Sequence, residues 1–348
     1  MKQTFFNKKI LIIPLLMAAF IFLFDKLFGL DSVRKYTETR IEFSFYDEKK
    51  ILLKQLEKYN RNKKSDEKLM ILFGTSHMGE FSSDYIYKKY HGLTTYNFSA
   101  PFASPSFLYY YLTKIIDAGI SIDYAVLEII PENFMSIANT YALSFSYDWK
   151  FIIENREHFS SEELEKFATS NLFYAVRFPF RVRPLIDRLF KSQENPYLQT
   201  LQRIVREATM KNNGGIPNPI LYEIPEYELY GESTKYYQKT FPTYKESLTQ
   251  KHFYQKFLET CKNKNIKLLV FKTIVSPPLQ KILNESSFYQ RWWEEKANEA
   301  HKMGAATLNL AESKEKISCQ KFVDVHHLSG GCYPELTEIL VNKLKSME

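Results

Sequence analysis

Five consecutive apolar residues at positions 69–73, LMILF, set between Lys68 and Gly74, constrain the fold more than any other stretch of the chain. An apolar run of this length, cut off by a glycine, is the pattern of a short strand buried on both faces, as in a parallel sheet covered by helices on each side. Thr75, Ser76 and His77 follow at once. Ser76 is therefore expected just past the strand's carboxyl end, the edge at which open α/β sheets bind ligands. A hydroxyl delivered there on a tight turn is placed to act as a nucleophile. The same serine can equally cap the next helix, and a strand-Gly-x-Ser pattern alone does not separate the two uses.

Residues 322–331, FVDVHHLSGG, add weight to that serine. Asp324 and His327 stand three positions apart on a turn ahead of the last expected helix, a spacing that lets a carboxylate reach the imidazole Nδ1 and fix its tautomer. An oriented imidazole is the base that a serine needs. Gly74-Thr75-Ser76 after a strand, together with Asp324-x-x-His327-Leu-Ser-x-Gly before the last helix, resembles the SGNH (GDSL-like) hydrolase superfamily. The resemblance covers the sheet segments from about residue 66 to the C-terminus and leaves a large middle unmatched. Within that superfamily the chain looks most like the membrane-anchored cell-envelope branch, which includes the D-alanine transfer protein of teichoic acids, the alginate O-acetylation proteins and uncharacterised bacterial relatives.

That resemblance implies a catalytic set of Ser76, His327 and Asp324. It also implies two oxyanion donors, the backbone N–H of Ser99 in the second sequence block and the side-chain amide of Asn133 in the third. The chain departs from the family pattern in two places: Thr75 stands where an aspartate usually precedes the serine, and the second block, with Ser99, lacks the usual glycine. Asn133 also reads as an ordinary turn asparagine. His77 and His326 adjoin the motif, but no further ligand lies at metal-binding spacing, so no metal and no cofactor are expected.

The chain has 348 residues, 45% of them hydrophobic and 16% aromatic, enough for one large domain or a domain with a sizeable insertion. Its formal charge of +7 is modest and its basic residues are spread out, which argues against nucleic acid as a partner and suits an anionic lipid or envelope polymer. Residues 10–24, ILIIPLLMAAFIFLF, carry no charge and follow Lys2, Lys8 and Lys9. Such a run spans about 22 Å as a helix, short of a hydrocarbon core of about 30 Å, but flanking lysines can snorkel and residues 27–30 can extend it. A cleaved signal peptide is the rival reading; no small-x-small cleavage site follows the run. The expectation is an uncleaved single-pass anchor at residues 1–30 in a bacterial inner (cytoplasmic) membrane, with the remainder periplasmic. Of the three cysteines, Cys319 and Cys332 bracket the Asp324/His327 turn and either pair, leaving Cys261 free, or all three are buried thiols.

Residues 31–65 read as a stalk followed by a helix at 50–59. From 66 to 348, strands are expected at 69–73, 94–98, 123–130, 267–274 and 306–310, alternating with helices at 83–90, 105–118, 244–262, 285–303 and 334–345. This alternation predicts a three-layer α/β/α sandwich around a parallel, flavodoxin-like five-stranded sheet. A mostly helical insertion is expected at about 135–244, with a capped helix at 161–169 and a loop at 211–224. Within it, residues 171–191 interleave aromatics with Arg177, Arg181, Arg183 and Arg188, a stretch suited either to a membrane or acidic surface or to a cap over the site.

By resemblance, the expected function is a membrane-anchored serine O-acyltransferase that modifies an envelope glycan, polymer or lipid through a Ser76 acyl-enzyme. Its partners would be an acyl donor, an envelope acceptor and a membrane-embedded acyltransferase that supplies the acyl group. The alternatives are an extracytoplasmic esterase or lipase using the same triad, and a catalytically inactive SGNH-fold binding or assembly protein.

Overall fold

A computed structural model describes residues 8–30, 32–33, 42–178, 186, 190, 196–312 and 317–347. Five parallel strands form one sheet in the order β2-β1-β3-β4-β5: β1 (Lys68–Phe73), β2 (Leu93–Asn97), β3 (Tyr124–Glu128), β4 (Lys267–Lys272) and β5 (Ala306–Asn309). The helices used below are α1 (Lys8–Lys26), α2 (Glu42–Asn62), α3 (Ser83–Lys89), α4 (Pro105–Asp117), α5 (Thr140–Phe145), α6 (Trp149–Glu154), α7 (Ser161–Leu172), α8 (Tyr174–Arg177), α9 (Pro196–Lys211), α10 (Glu226–Thr240), α11 (Leu248–Asn263), α12 (Pro277–Glu285), α13 (Ser287–Lys302) and α14 (Tyr333–Lys345).

Strand β1 shows why an unbroken apolar run was required. Side chains alternate across a strand: Leu69, Ile71 and Phe73 enter one core with Leu127 and Val270, whereas Met70 and Leu72 enter a second with Val126 and Phe271. Helices α2, α4, α11 and α13 cover the first core, and α3 and α14 cover the second. The expected three-layer sandwich is therefore present, and its strand order reverses beside β1. In a doubly wound sheet the crevice at such a reversal, here at the carboxyl ends of β1 and β3, is where ligands bind.

Helix α2 begins earlier than expected. Residues 42–46, read as stalk, are its first turns, because the buried positions Tyr46, Lys49, Leu52 and Leu56 continue a helical stripe back from residue 50. Residues 34–41 of the expected stalk lie outside the described residues. The helix expected at 285–303 is α13; ahead of it stands α12, which was not expected, and the two are divided at Ser286, whose Oγ accepts the Tyr289 N–H at 3.4 Å as an N-cap.

The insertion is helical, from α5 to α10, and it is fixed to the sheet layers by a buried polar network. Asn139 Oδ1 accepts from Ser104 Oγ (3.2 Å), Ser106 Oγ (3.0 Å) and Tyr147 Oη (2.7 Å), and its Nδ2 donates to Glu163 (2.9 Å). Glu163 closes a capping box with Ser160 at the start of α7 and also accepts from Thr249 Oγ1 of α11 at 2.8 Å. Arg177 faces inward: its guanidinium lies 5.3 Å from the Phe145 ring and 3.9 Å from Asp47. Arg181, Arg183 and Arg188 lie outside the described residues.

An apolar segment, Ile12–Gly29, made of most of α1 and the 3₁₀ turn that follows it, has a mean hydropathy of 2.0 and is long and apolar enough to cross a membrane. Its side chains stand away from the fold; Ile13 is 62% and Phe20 69% exposed. Its base is docked. Asp25 Oδ2 and Oδ1 accept the N–H groups of Tyr174 (2.7 Å) and Ala175 (2.8 Å), capping α8, and Lys26 Nζ donates to the Leu172 carbonyl at the end of α7.

Candidate functional site

The turn that carries Ser76 begins at Gly74. A Cβ built there would lie 2.6 Å from Met78 Cγ and 2.8 Å from Glu128 Cβ, so only glycine lets the chain leave β1 this close to the end of β3. The chain then enters a 3₁₀ turn, Ser76–Met78, anchored from α14 by Tyr333 Oη donating to the His77 carbonyl at 2.7 Å. Ser76 is partly exposed at the carboxyl edge of β1.

His327 arrives from a separate loop. Phe322 and Leu328 form an antiparallel bridge, Val323 N donates to His327 O at 2.9 Å, and a disulfide between Cys319 and Cys332, with Cα atoms 5.4 Å apart, closes the loop around Asp324 and His327. Cys261 is buried and free. His327 Nε2 lies 2.7 Å from Ser76 Oγ, and His327 Nδ1 lies 2.7 Å from Asp324 Oδ2. Asp324 Oδ1 also accepts the backbone N–H groups of His326 and His327, each at 2.7 Å. Burial raises the Asp324 pKa, but the hydrogen bond and charge of His327 and those two N–H groups outweigh it and hold the carboxyl well below the usual carboxylate range. An ionised Asp324 keeps the His327 proton on Nδ1, leaving Nε2 bare to accept from the serine hydroxyl. Such a row of groups can draw the proton from Ser76 as its oxygen attacks an electrophile.

Beneath the serine lies a second set of polar residues. Glu128, fully buried at the end of β3, accepts Thr75 N–H (2.8 Å) and Thr75 Oγ1–H (3.0 Å) at Oε2, and His77 Nδ1 (2.9 Å) at Oε1. Thr75 thus holds the Ser76 turn to β3. The His77 ring lies 4.8 Å from that of His327, and its Nε2 is buried without a hydrogen-bond partner. His326 packs edge-on against Tyr236 of α10 at 3.9 Å, and burial, with the charge of His77, pushes its pKa down to about 3, so it is neutral. Burial pushes Glu80 up to about 7 against the pull of His327, and Glu132, which accepts from Tyr236 Oη, also up to about 7. Among the described residues, no group of three or more His, Cys, Asp or Glu side chains is arranged to hold a metal ion.

The two expected oxyanion donors do not join the triad. The Ser99 N–H donates to Asn97 Oδ1 at 3.0 Å, because Asn97 turns back at the end of β2 while its Nδ2 donates to Met78 O at 2.6 Å. Asn133 lines a small cavity with Leu108, Leu127, Ile129 and Tyr254, residues of the opposite core, and its Nδ2 has no hydrogen-bond partner there. The residue parity of β3 explains the difference: Glu128 faces the serine, so Leu127 and Ile129, with Asn133 beyond them, face away. The N–H of Ser76, first in its 3₁₀ turn, has no acceptor within that turn.

Glu128, His77 and Asn97 are the site residues that motif reading did not assign. Glu128 carried a signal nonetheless, since a carboxylate inside the apolar run DYAVLEII is out of place in a strand buried on both faces unless it is paired. No curated protein matches the chain. The profile of the DUF1574 family, described as a protein of unknown function, matches residues 5–344, and the chain belongs to that family.

Proposed function

We propose that the chain is a membrane-anchored, SGNH-like serine acyltransferase of the cell envelope, acting through a Ser76 acyl-enzyme. The observation that carries this reading is the continuous Ser76-His327-Asp324 row, with 2.7 Å at each step, at the carboxyl edge where the strand order reverses. In the first half-reaction, Ser76 Oγ attacks the acyl carbonyl while His327 Nε2 takes its proton, and that proton passes to the departing group of the donor. In the second, His327 deprotonates an acceptor hydroxyl, which attacks the ester and returns the serine. The Ser76 N–H is one donor to the developing oxyanion, and the chemistry needs no cofactor.

The anchor reading is supported by the docking of α1, whose Asp25 and Lys26 form part of the folded domain; a segment meant for removal has no need of such contacts. A disulfide between Cys319 and Cys332 suits a domain outside the cytoplasm. The acyl donor and acceptor, and a membrane-embedded acyltransferase as partner, belong to the same proposal. The committed Ser99 N–H favours a second reading, a binding or assembly protein on the same scaffold, since it removes one expected oxyanion donor.

Full-length protein in detergent should react with a fluorophosphonate probe, and Ser76→Ala and His327→Ala should each abolish labelling while hydrolysis of simple acyl esters stays slow. Rapid ester turnover would favour an esterase. A folded protein that takes no label would leave the binding reading.

A further inference from the structure

We infer that the carboxyl edge of the sheet, with Ser76 in it, rests against the bilayer that holds α1, so that the group meeting Ser76 arrives from the membrane plane. This rests on the reading of α1 as a membrane span. The orientation follows from α2, which runs antiparallel to the strands. Tyr59 near its C-terminal end bonds Glu67 (2.9 Å) ahead of β1, whereas Lys49 Nζ donates to Asn97 O (2.8 Å) and Tyr46 Oη to Pro101 O (2.7 Å), both at the carboxyl end of β2. The base of α1 docks on α7 and α8, and α8 in turn reaches the same end of α2 through Arg177 and Asp47. Both the membrane helix and the candidate site therefore lie at one end of the sheet.

The surface at that end matches a lipid contact. Phe102, just beyond β2, is 60% exposed and held at a φ of 58°, a region that bulky side chains rarely occupy, and Ile137, beyond β3, is 73% exposed. Leu172 and Phe173, next to the docked base, are exposed as well, and the Phe173 ring lies 6.2 Å from that of Phe22 in α1, which makes the apolar surface continuous with the span. At the opposite end, the turns at 60–67, 90–92, 118–123, 263–266 and 303–305 contain no exposed large apolar side chain among the described residues. An asymmetry of this kind, continuous with a membrane helix, is the pattern of an interfacial docking face.

The test is nitroxide labelling of the full chain in liposomes of phosphatidylethanolamine and phosphatidylglycerol, with Phe102→Cys and Ile137→Cys compared with His91→Cys and Lys264→Cys at the far end and Ile13→Cys in α1. Power-saturation spectroscopy should show a severalfold higher ratio of oxygen to nickel-chelate accessibility at 102 and 137 than at 91 and 264. Equal ratios at all four, with position 13 in lipid, would overturn the docking and leave the anchor standing. Position 13 in water would overturn both. Fluorophosphonate labelling of Ser76 reads the acyl-transfer proposal separately.

Discussion

Asp324→Asn is the substitution that isolates the base from the fold. Asparagine can keep Oδ1 as acceptor for the N–H groups of His326 and His327, both at 2.7 Å, so the turn is retained. What changes is the atom 2.7 Å from His327 Nδ1, where an amide NH₂ replaces a carboxylate oxygen. Two donors cannot face each other, so His327 must move its proton to Nε2 and then donates toward Ser76 instead of accepting from it. In serine triads the wrong tautomer lowers the rate by about 10⁴, or about 5 kcal/mol of barrier. The second-order rate of fluorophosphonate labelling of the full-length protein at neutral pH should fall by a factor of that order. The thermal unfolding midpoint, measured on the same sample, should move little, and ¹⁵N spectroscopy should find the His327 proton on Nε2. A variant that labels within a few-fold of the wild-type rate would refute the assignment of His327 as a base oriented by Asp324.

Glu128→Ala should destabilise the fold by about 2–4 kcal/mol, because it leaves the buried Thr75 N–H without its acceptor and leaves Thr75 Oγ1 and His77 Nδ1, 3.1 Å apart, with only each other; chemical denaturation reads this, and a loss below about 1 kcal/mol would mean that water or a neighbour replaces the carboxylate. Glu132 provides a pH signature: its pKa is raised by burial from 4.5 to about 7, so the stability tied to its neutral form is complete below pH 4.5 and is lost as pH rises through about 7. Glu132→Gln, which can keep an acceptor for Tyr236 Oη, should remove this slope and leave the variant more stable than wild type above pH 7 by about 3 kcal/mol, with no advantage at pH 4. Parallel stability curves for the two proteins would show that Glu132 is solvated.

The sheet was legible because each strand is a short apolar run with its own stop signal, and a parallel sheet with two buried faces leaves few other uses for such runs. Residues 324–327 were legible for a local reason, since a carboxylate and an imidazole three apart on one turn can meet without help from the rest of the fold. The oxyanion donors were not. Whether Ser99 offers its N–H depends on the rotamer of Asn97, and which way Asn133 faces depends on the residue parity of β3, neither of which a motif encodes. The early start of α2 turned on buried positions outside the expected window, and the unexpected α12 on a short segment opened by two prolines.

How the serine and its base stay in register is a question about the insertion. The loop expected at 211–224 begins one residue later, because Lys211 ends α9, and residues 212–224 form a strap with bonds to each side of the site. On the serine side, Asn212 Oδ1 accepts Ser83 N–H (3.0 Å), Asn213 O accepts Asn97 N–H (2.8 Å) and Ile216 N–H donates to Gly79 O (2.7 Å). On the histidine side, Tyr222 N–H donates to Ser329 Oγ (2.8 Å), Ile220 O accepts Gly331 N–H (3.2 Å) and Ile224 N–H donates to Phe322 O (3.0 Å). The loop closed by Cys319 and Cys332 is not strand-paired with β1; it meets β1 and the turn after it through the site, the Tyr333 contact with His77 and an apolar core shared by Met70, Leu72, Phe322 and Leu328. Backbone bonds from one short segment to both therefore do what a sheet cannot, fixing the distance between Ser76 Oγ and His327 Nε2 from outside. It follows that sequence change in the strap can alter how Ser76 and His327 meet without altering either residue.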